Sequence, residues 1–473
     1  MSALWTASDF VASTGGRAIG RVPDVKGISI DSRTLDPGDA FFAIRGDRFD
    51  GHDFVAAAIE RGAAVAVVDE VHAAALKTAG AALVVVPDVL EALRLLGIAS
   101  RARSAARIIG VTGSVGKTGT KEALRLALSR SGRTHASAAS YNNHWGVPLS
   151  LARMPAATRF GVFEMGMNAP GEISVLTRLV RPEIAIVTTV EPVHLEFFGT
   201  VEKIADAKAE IFEGLEPGGS AVLNLDNPQF GRLADAARAH GARIVTFGAA
   251  EEADARLVRV ALHPDCSCVT ARLFGREVTY KLGAPGRHLV GNSLAVLAAA
   301  DLAGADLALA VLALADLRAP KGRGARFRLK VGDGTITVID ESYNANPASM
   351  RAALALLGQA QPGPRGRRIA VIGDMRELGA AADDLHRDLA EPLTAARVDL
   401  LLGAGPHTRA LYEAVDHRHR HAWTHESEAL RDELLGLVRP GDVVMVKGSL
   451  GSRMGPLVEA LRERFARVEG GAA

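Results

Sequence analysis

Cysteine is nearly absent from this sequence. Two occur among 473 residues, Cys266 and Cys268. Chains held together by disulfides carry more, in pairs, so no disulfide framework organises this one. The C-x-C pair also lacks a second Cys or His pair to complete a metal site, and its expected role is incidental. Aromatic residues are scarce at 5%, while hydrophobic residues reach 48%, so Ala, Val and Leu must fill the cores. Neither sign of charge is in excess: 55 Lys and Arg face 54 Asp and Glu. A net charge of +1 argues against a dedicated nucleic-acid binder, whose footprint is a basic stripe. No apolar run approaches the roughly 18 residues of a membrane span. The N-terminal MSALWTASDF has neither a basic n-region nor an apolar h-region. The expectation is a cytoplasmic protein with no membrane or nucleic-acid partner.

What the sequence does contain is short apolar runs alternating with helical periodicity. GISI at 27–30, DAFFAI at 39–44, AAVAVVD at 63–69 and ALVVVPD at 82–88 read as strands, with a helix at 52–62. A second unit begins with RIIGVT near 107 and the amphipathic KEALRLALSR. Strands follow at 160–166, 183–190, 220–225 and 242–247. Such alternation predicts a mostly parallel sheet covered on both faces. From 255 to 283 short strands without helices suggest an antiparallel addition at the sheet edge, and 288–317 reads as a long helical stretch. PKGRGAR at 320–326 reads as a linker or phosphate-facing loop. Strands at 335–340, 367–374, 398–403 and 442–448 then form a third unit. The expectation is an α/β chain of three domains, 1–105, 106–318 and 319–473. The HRHRH run at 417–421 reads as a solvated loop rather than a metal site.

The strongest local signal is GVTGSVGKTGTKEAL, which follows a strand and opens a helix. Backbone N–H groups there converge on one locus and favour anions. Glycines 113 and 116 allow close approach, Lys117 can neutralise phosphate charge, and the Thr118 hydroxyl can bind Mg²⁺. The spacing is T-G-x-x-G-K-T; Val111 stands where the strict pattern has a further glycine. Such a loop binds a nucleoside triphosphate but selects no reaction. Glu164, at a strand end, would face the same crevice, as would His194 beyond the next strand. Lys208, judged by periodicity alone, is a solvated lysine on an amphipathic helix.

The order of further motifs is more specific. TGSVGKT, YNNHWGVP (141–148), EMGMNAPGEI (164–173), VHLEFFG (193–199), AKAEIF (207–212), GRHLVGNSLA (286–295) and DESYNANPASM (340–350) together resemble the Mur ligases. The last string and VIGDMRELG (371–379) are similar to the member that adds D-Ala-D-Ala; the DNPR motif of the third-residue-adding member is absent. The segment 31–54, DSRTLDPGDAFFAIRGDRFDGHDF, resembles the UDP-substrate domain.

The resemblance implies a monomeric ATP- and Mg²⁺-dependent ligase that extends UDP-N-acetylmuramoyl-tripeptide with D-Ala-D-Ala through an acyl phosphate. The N-terminal domain would hold UDP, the central domain ATP, and the C-terminal domain the dipeptide. Catalytic roles fall on Lys117, Glu164, His194 and Lys208. Thr118, Glu164, His194 and a CO₂-carbamylated Lys208 would hold metal. Thr112, Gly113, Ser114, Val115, Gly116, Lys117, Thr118, Asn292, Asp340 and Tyr343 would meet ATP. A basic residue of the 320–326 loop would reach the γ-phosphate; spacing favours Arg326, with Arg323 nearly as good. Asn142, Asn143, Asn344 and Asn346 would line the substrate cleft, and Ser32, Arg33, Gly46 and His52 the uridine end. Leu289 and Gly119 depart from the family pattern, which has Asn and Thr or Ser there. The third residue of the tripeptide, lysine or meso-diaminopimelate, is left open. Competing readings are the third-residue-adding ligase, a folylpolyglutamate synthetase-like ligase and a P-loop nucleotide kinase.

Overall fold

The computed structural model describes residues 3–46, 48–76 and 82–468. Met1 and Ser2 of the N-terminal segment and Asp47 of the 31–54 motif lie outside them. Three sheets follow one another along the chain.

The first has five strands in the order 17–19, 83–86, 65–69, 39–42, 27–29. All neighbours are parallel except the outer 17–19 strand. The expected strands appear with shorter ends. The expected helix at 52–62 is a 3₁₀ turn, Gly51–Phe54, followed by Val55–Glu60. The helix Val89–Ala102 covers one face and is capped by Asp88, which accepts from the Glu91 N–H at 2.8 Å. Its apolar side joins a core that also includes Leu149 and Ala152, which belong to the helix Gly146–Ala152 of the next unit. The first domain is thus docked through shared core residues. Trp5 Nε1 donates to Ala152 O at 3.0 Å, and Arg153 Nε donates to Ile28 O at 2.6 Å.

The central sheet has nine strands, in the order 276–282, 267–273, 255–262, 243–248, 220–224, 184–187, 107–112, 160–164, 134–136. Fully buried runs such as Phe160–Glu164 and Ile184–Val187 explain why these strands show no alternation: helices cover both faces. The chain runs outward from 107–112 on one side, then returns to add 184–187 on the other. This reversal opens a crevice beside the 107–112 strand, where ligands of open α/β sheets bind. The expected antiparallel edge is present, formed by 255–262, 267–273 and 276–282. The stretch 288–317 is not one helix. It divides into Arg287–Leu302 and Leu307–Ala313 at Gly304, whose φ is +74°, and Asp306 caps the second piece.

The third sheet has six strands, in the order 325–331, 334–341, 443–447, 368–373, 400–404, 420–424. An antiparallel hairpin, 325–331 with 334–341, begins inside the segment expected to be a linker. The HRHRH expectation is also corrected. His417–His419 is a 3₁₀ turn, and Arg420–Thr424 is an edge strand parallel to 400–404. Polar side chains on an edge strand hide the apolar alternation that reveals an inner one. Cys266 and Cys268 are both free, in or beside the antiparallel edge.

Leu149→Ala should lower the unfolding free energy by about 2–5 kcal/mol, because it leaves a cavity between the first sheet and the central domain. Denaturant unfolding followed by Trp fluorescence checks this; a change under about 1 kcal/mol would mean that the shared core does not hold the domains together.

Candidate active site

A cavity of about 1030 Å³ opens at the C-terminal ends of the central strands and is closed over by the third domain. Its floor is formed by Ser114, Val115, Gly116 and Lys117 of the loop 113–118. Gly113 has φ +138°, and a Cβ there would sit 2.0 Å from Thr188 Oγ1. Gly116 has φ +87°, and a Cβ there would sit 2.5 Å from Asn292 Nδ2. Only glycine meets both demands. The loop is pinned by the neighbouring strand end: Ser114 N donates to Thr189 O at 2.8 Å, and the Thr188 hydroxyl donates to Val115 O at 2.6 Å. The Glu191 N–H returns to Ser114 Oγ at 2.9 Å. Lys117 Nζ folds back on Gly113 O at 2.7 Å, at the start of the helix Lys117–Ser129. Burial lowers its pKa; Glu164 opposes that shift and Arg323 adds to it.

Glu164 ends the strand beside the loop and is 1% exposed. Thr118 Oγ1 donates to one carboxylate oxygen at 2.9 Å and Asn142 Nδ2 to the other at 2.7 Å. A carboxylate and a hydroxyl in contact are hard oxygen donors of the kind Mg²⁺ takes, so the residues fit that ion. Asn142 is delivered by the loop 137–145, which the buried Lys121 holds by donating to Ser137 O at 2.7 Å and Ala139 O at 2.8 Å. Asn143 Oδ1 accepts from the Gly146 N–H at 2.9 Å, capping the start of the next helix.

Lys208, on the helix Val201–Ala209, is not the solvated lysine that periodicity suggests. It is 1% exposed. Its ammonium has no hydrogen bond or ion pair among the described residues. Burial pushes its pKa well below the usual lysine range; Lys117 adds to the shift, and Glu210 and Glu172 oppose it. His194 lines the cavity, and its Nδ1 contacts the carboxylate of Glu377 from the third domain.

From the third domain, Arg323, Tyr343, Asn344 and Asn346 reach the cavity wall. Arg323 lies 4.2 Å over the Tyr343 ring and donates to Ser140 Oγ at 3.2 Å. Arg326, favoured by spacing, does not line the cavity. Its guanidinium donates to the carbonyls of Pro264 and Leu356, so of the two arginines it is Arg323 that lines the cavity. Asp340 is likewise off the wall. It is 1% exposed and accepts from Gly322 N at 3.2 Å and Ser342 Oγ at 2.6 Å, so it folds the 320–324 turn onto the sheet. Asn346 caps the helix Pro347–Gln359 in a capping box with Ser349.

Thr112 lies under the loop rather than on the wall. Of the four uridine-end candidates, none lines this cavity. Arg33 pairs with Asp31 at 2.8 Å. Gly46 packs beside Trp145 of the 141–148 loop, while Ser32 belongs to the turn after the 27–29 strand. His52 is buried, bonded to Asp50 at 2.6 Å and accepting from the Asp69 N–H at 3.1 Å. With Asp50 and His72 it forms a cluster of possible metal ligands. However, its ring stacks on His72 at 4.0 Å and both its nitrogens are used, so it reads as a hydrogen-bonded core histidine.

Sequence reasoning missed Thr188, Glu191, Lys121, Glu377 and Lys447. The last is 1% exposed, lines the cavity, and donates to Asn344 O at 2.9 Å and Glu341 at 3.3 Å. The two departures from the family pattern face each other: a Cβ on Gly119 would lie 3.8 Å from Leu289 Cδ2. Leucine opposite a residue without a side chain replaces a polar pair with an apolar contact.

Three family models match successive parts of the chain: "Mur ligase family, catalytic domain" at 24–101, "Mur ligase middle domain" at 111–300, and "Mur ligase, glutamate ligase domain" at 325–450. The UDP-N-acetylmuramoyl-tripeptide–D-alanyl-D-alanine ligase of Escherichia coli K12 is 33% identical, over 97% of this chain and 98% of its own. The enzyme of the same name from Bacillus subtilis is 32% identical, over 93% of both chains. Among solved structures, MurF from Acinetobacter baumannii superposes with a TM-score of 0.82 at 31% identity, covering 97% of this chain and 99% of that one. MurF from Thermotoga maritima in complex with ADP gives 0.74 at 26% identity, covering 93% and 97%. With relatives this similar over nearly its whole length, and with the loop and the strand-end carboxylate gathered in one cavity, the chain belongs to the Mur ligase family.

Proposed function

We propose that this chain joins D-alanyl-D-alanine to UDP-N-acetylmuramoyl-tripeptide at the expense of ATP, giving the pentapeptide precursor of peptidoglycan with ADP and phosphate. The observation that carries the reading is the cavity itself. A phosphate cradle and the Glu164 carboxylate, which the Thr118 hydroxyl contacts from behind the wall, face an arginine supplied by the third domain. The substrates are those in the names of the relatives that match from end to end. The reading includes a monomer acting in the cytoplasm, where ATP and UDP-linked precursors are made.

The chemistry brings anions together. A carboxylate oxygen of the tripeptide attacks the γ-phosphorus, and the bond to ADP breaks. The dipeptide amine then attacks the acyl carbon of the acyl phosphate and phosphate leaves, the amine giving up its proton. Lys117, Arg323 and the N–H groups at the start of the helix offset the gathered charge, at fixed positions and in little water. Thr118 and Glu164 would hold Mg²⁺, with His194 and Lys208 at a second metal; bound Mg²⁺ supplies positive charge against the phosphates. Arg323, rather than Arg326, is the candidate for the γ-phosphate. The apolar end lined by Phe247, Leu257 and Leu317 suits the base, with Asn292 between base and loop.

Lys208 is proposed to act as its carbamate. Carbamylation needs a neutral amine, and a buried amine without a partner, beside a second cation, is held neutral. The neutral amine nitrogen bonds to the carbon of CO₂ and gives up a proton, which leaves an anionic oxygen pair able to orient a metal.

Phosphate release should require both UDP-tripeptide and D-Ala-D-Ala; release with UDP-dipeptide and a single amino acid would select the third-residue-adding reaction instead. Lys208→Ala should leave ATP binding intact and retain less than about a tenth of the rate, since removing one electrostatic group typically costs 10²–10³. In ¹³C NMR with labelled bicarbonate, a carbamate signal should appear in the wild type and vanish in this variant. Arg323→Ala should cut kcat by about 10²-fold, whereas Arg326→Ala should act mainly on thermal stability. The reverse pattern, read from steady-state rates and melting curves, would return the role to Arg326.

A further inference from the structure

The contact between His194 and Glu377 joins two domains at the cavity, and the metal chemistry proposed above does not account for it. Glu377 comes from the loop after the strand Arg368–Gly373 of the third sheet. Its carboxylate meets His194 Nδ1, and its backbone carbonyl accepts from the Glu196 N–H at 3.3 Å. Gly379, two residues on, packs against Glu196. Both partners are held in the left-handed region without being glycine: φ is +57° at His194 and +63° at Glu377. Side chains in that conformation are strained, and such strain persists where surrounding structure enforces it, most often at working sites. An exposed ion pair alone contributes too little to explain two strained residues facing each other.

The roles of the ring nitrogens follow from the partner. A carboxylate accepts, so Nδ1 carries the hydrogen, and in the neutral ring Nε2 then keeps its lone pair. Fixing one nitrogen with a carboxylate is the usual way a metal-binding imidazole has its tautomer and orientation set.

Resting on the ligase reading above, we propose that Glu377 is a positioning residue for His194. It fixes the ring with Nε2 available to the second metal, so that this metal site is complete only when the third domain is docked. Glu377 would touch neither nucleotide nor metal. Its effect passes through one imidazole and couples domain docking to metal affinity.

The test uses the full-length protein with Mn²⁺ as the probe, in the presence of a non-hydrolysable ATP analogue, read by electron paramagnetic resonance and calorimetry. The wild type should bind a tighter and a weaker Mn²⁺. Glu377→Ala should weaken the second by about 10–100-fold, leaving the first and the nucleotide affinity unchanged. Glu377→Gln, which still accepts the hydrogen bond, should fall between. His194→Ala should match the effect, and the double variant should be no worse than His194→Ala alone. Unchanged Mn²⁺ binding in Glu377→Ala, additive effects in the double variant, or a single Mn²⁺ in the wild type would each overturn the proposal. Failure of the ligase reading is separate: it would show as wild-type phosphate release indifferent to D-Ala-D-Ala.

Discussion

The approach of Gly113 to Thr188 is the constraint on which the cavity depends. One strand end carries the loop, and the next grips it through Thr188, Thr189 and Glu191. A single methyl group at 113 would have to occupy the position of the Thr188 hydroxyl. Because the loop cannot shift, the Lys117–Ser129 helix starts at a fixed point, and its first N–H groups converge on the same space as the Glu164 carboxylate. Preorganisation of this kind matters because fixed donors need no rearrangement when charge develops, whereas water does.

Burial then sets the charges. Both lysines are short of water, and the Lys117 ammonium further disfavours a charge on Lys208. Lys117 keeps compensation from Glu164 and from the carbonyl of Gly113. Lys208 has no such hydrogen bond, and its two acidic neighbours do not cancel the desolvation. Two lysines of the same type therefore divide: one suited to remain a cation facing phosphate, the other to become neutral. The position of Lys208 on an amphipathic helix gives no hint of this, because its burial comes from elements distant in the chain.

The same distinction explains what was legible in the sequence. The loop, the strand-end Glu164 and the parallel strands announce themselves locally, by spacing and by continuous apolar runs. The choice between Arg323 and Arg326 does not, because it depends on where the 325–331 strand begins. Starting at Ala325, that strand takes Arg326 into the hairpin and leaves Arg323 in the turn before it, against Tyr343. Asp340 and Asn346 were visible as part of a motif, but their bonds show them shaping a turn and capping a helix. Glu377 lay inside the 371–379 motif with nothing to show its role, and Lys447 carried no local signal, since each is defined by a partner more than a hundred residues away.

The third domain contributes Arg323, Tyr343 and Lys447 to a cavity whose floor belongs to the second, and brings Glu377 against His194 at its wall. A reactive acyl phosphate needs water kept out while it forms, and the dipeptide needs a way in. Placing cationic and positioning groups on a separate body satisfies both, because the electrostatic site is incomplete until the domain that shields it is in place. The contact at His194 is well suited to this arrangement. It is small and partly exposed, so it adds little to stability, and both residues pay in backbone strain. Such a contact can be made and broken without unfolding either domain, which a large apolar interface like the one at Leu149 could not be.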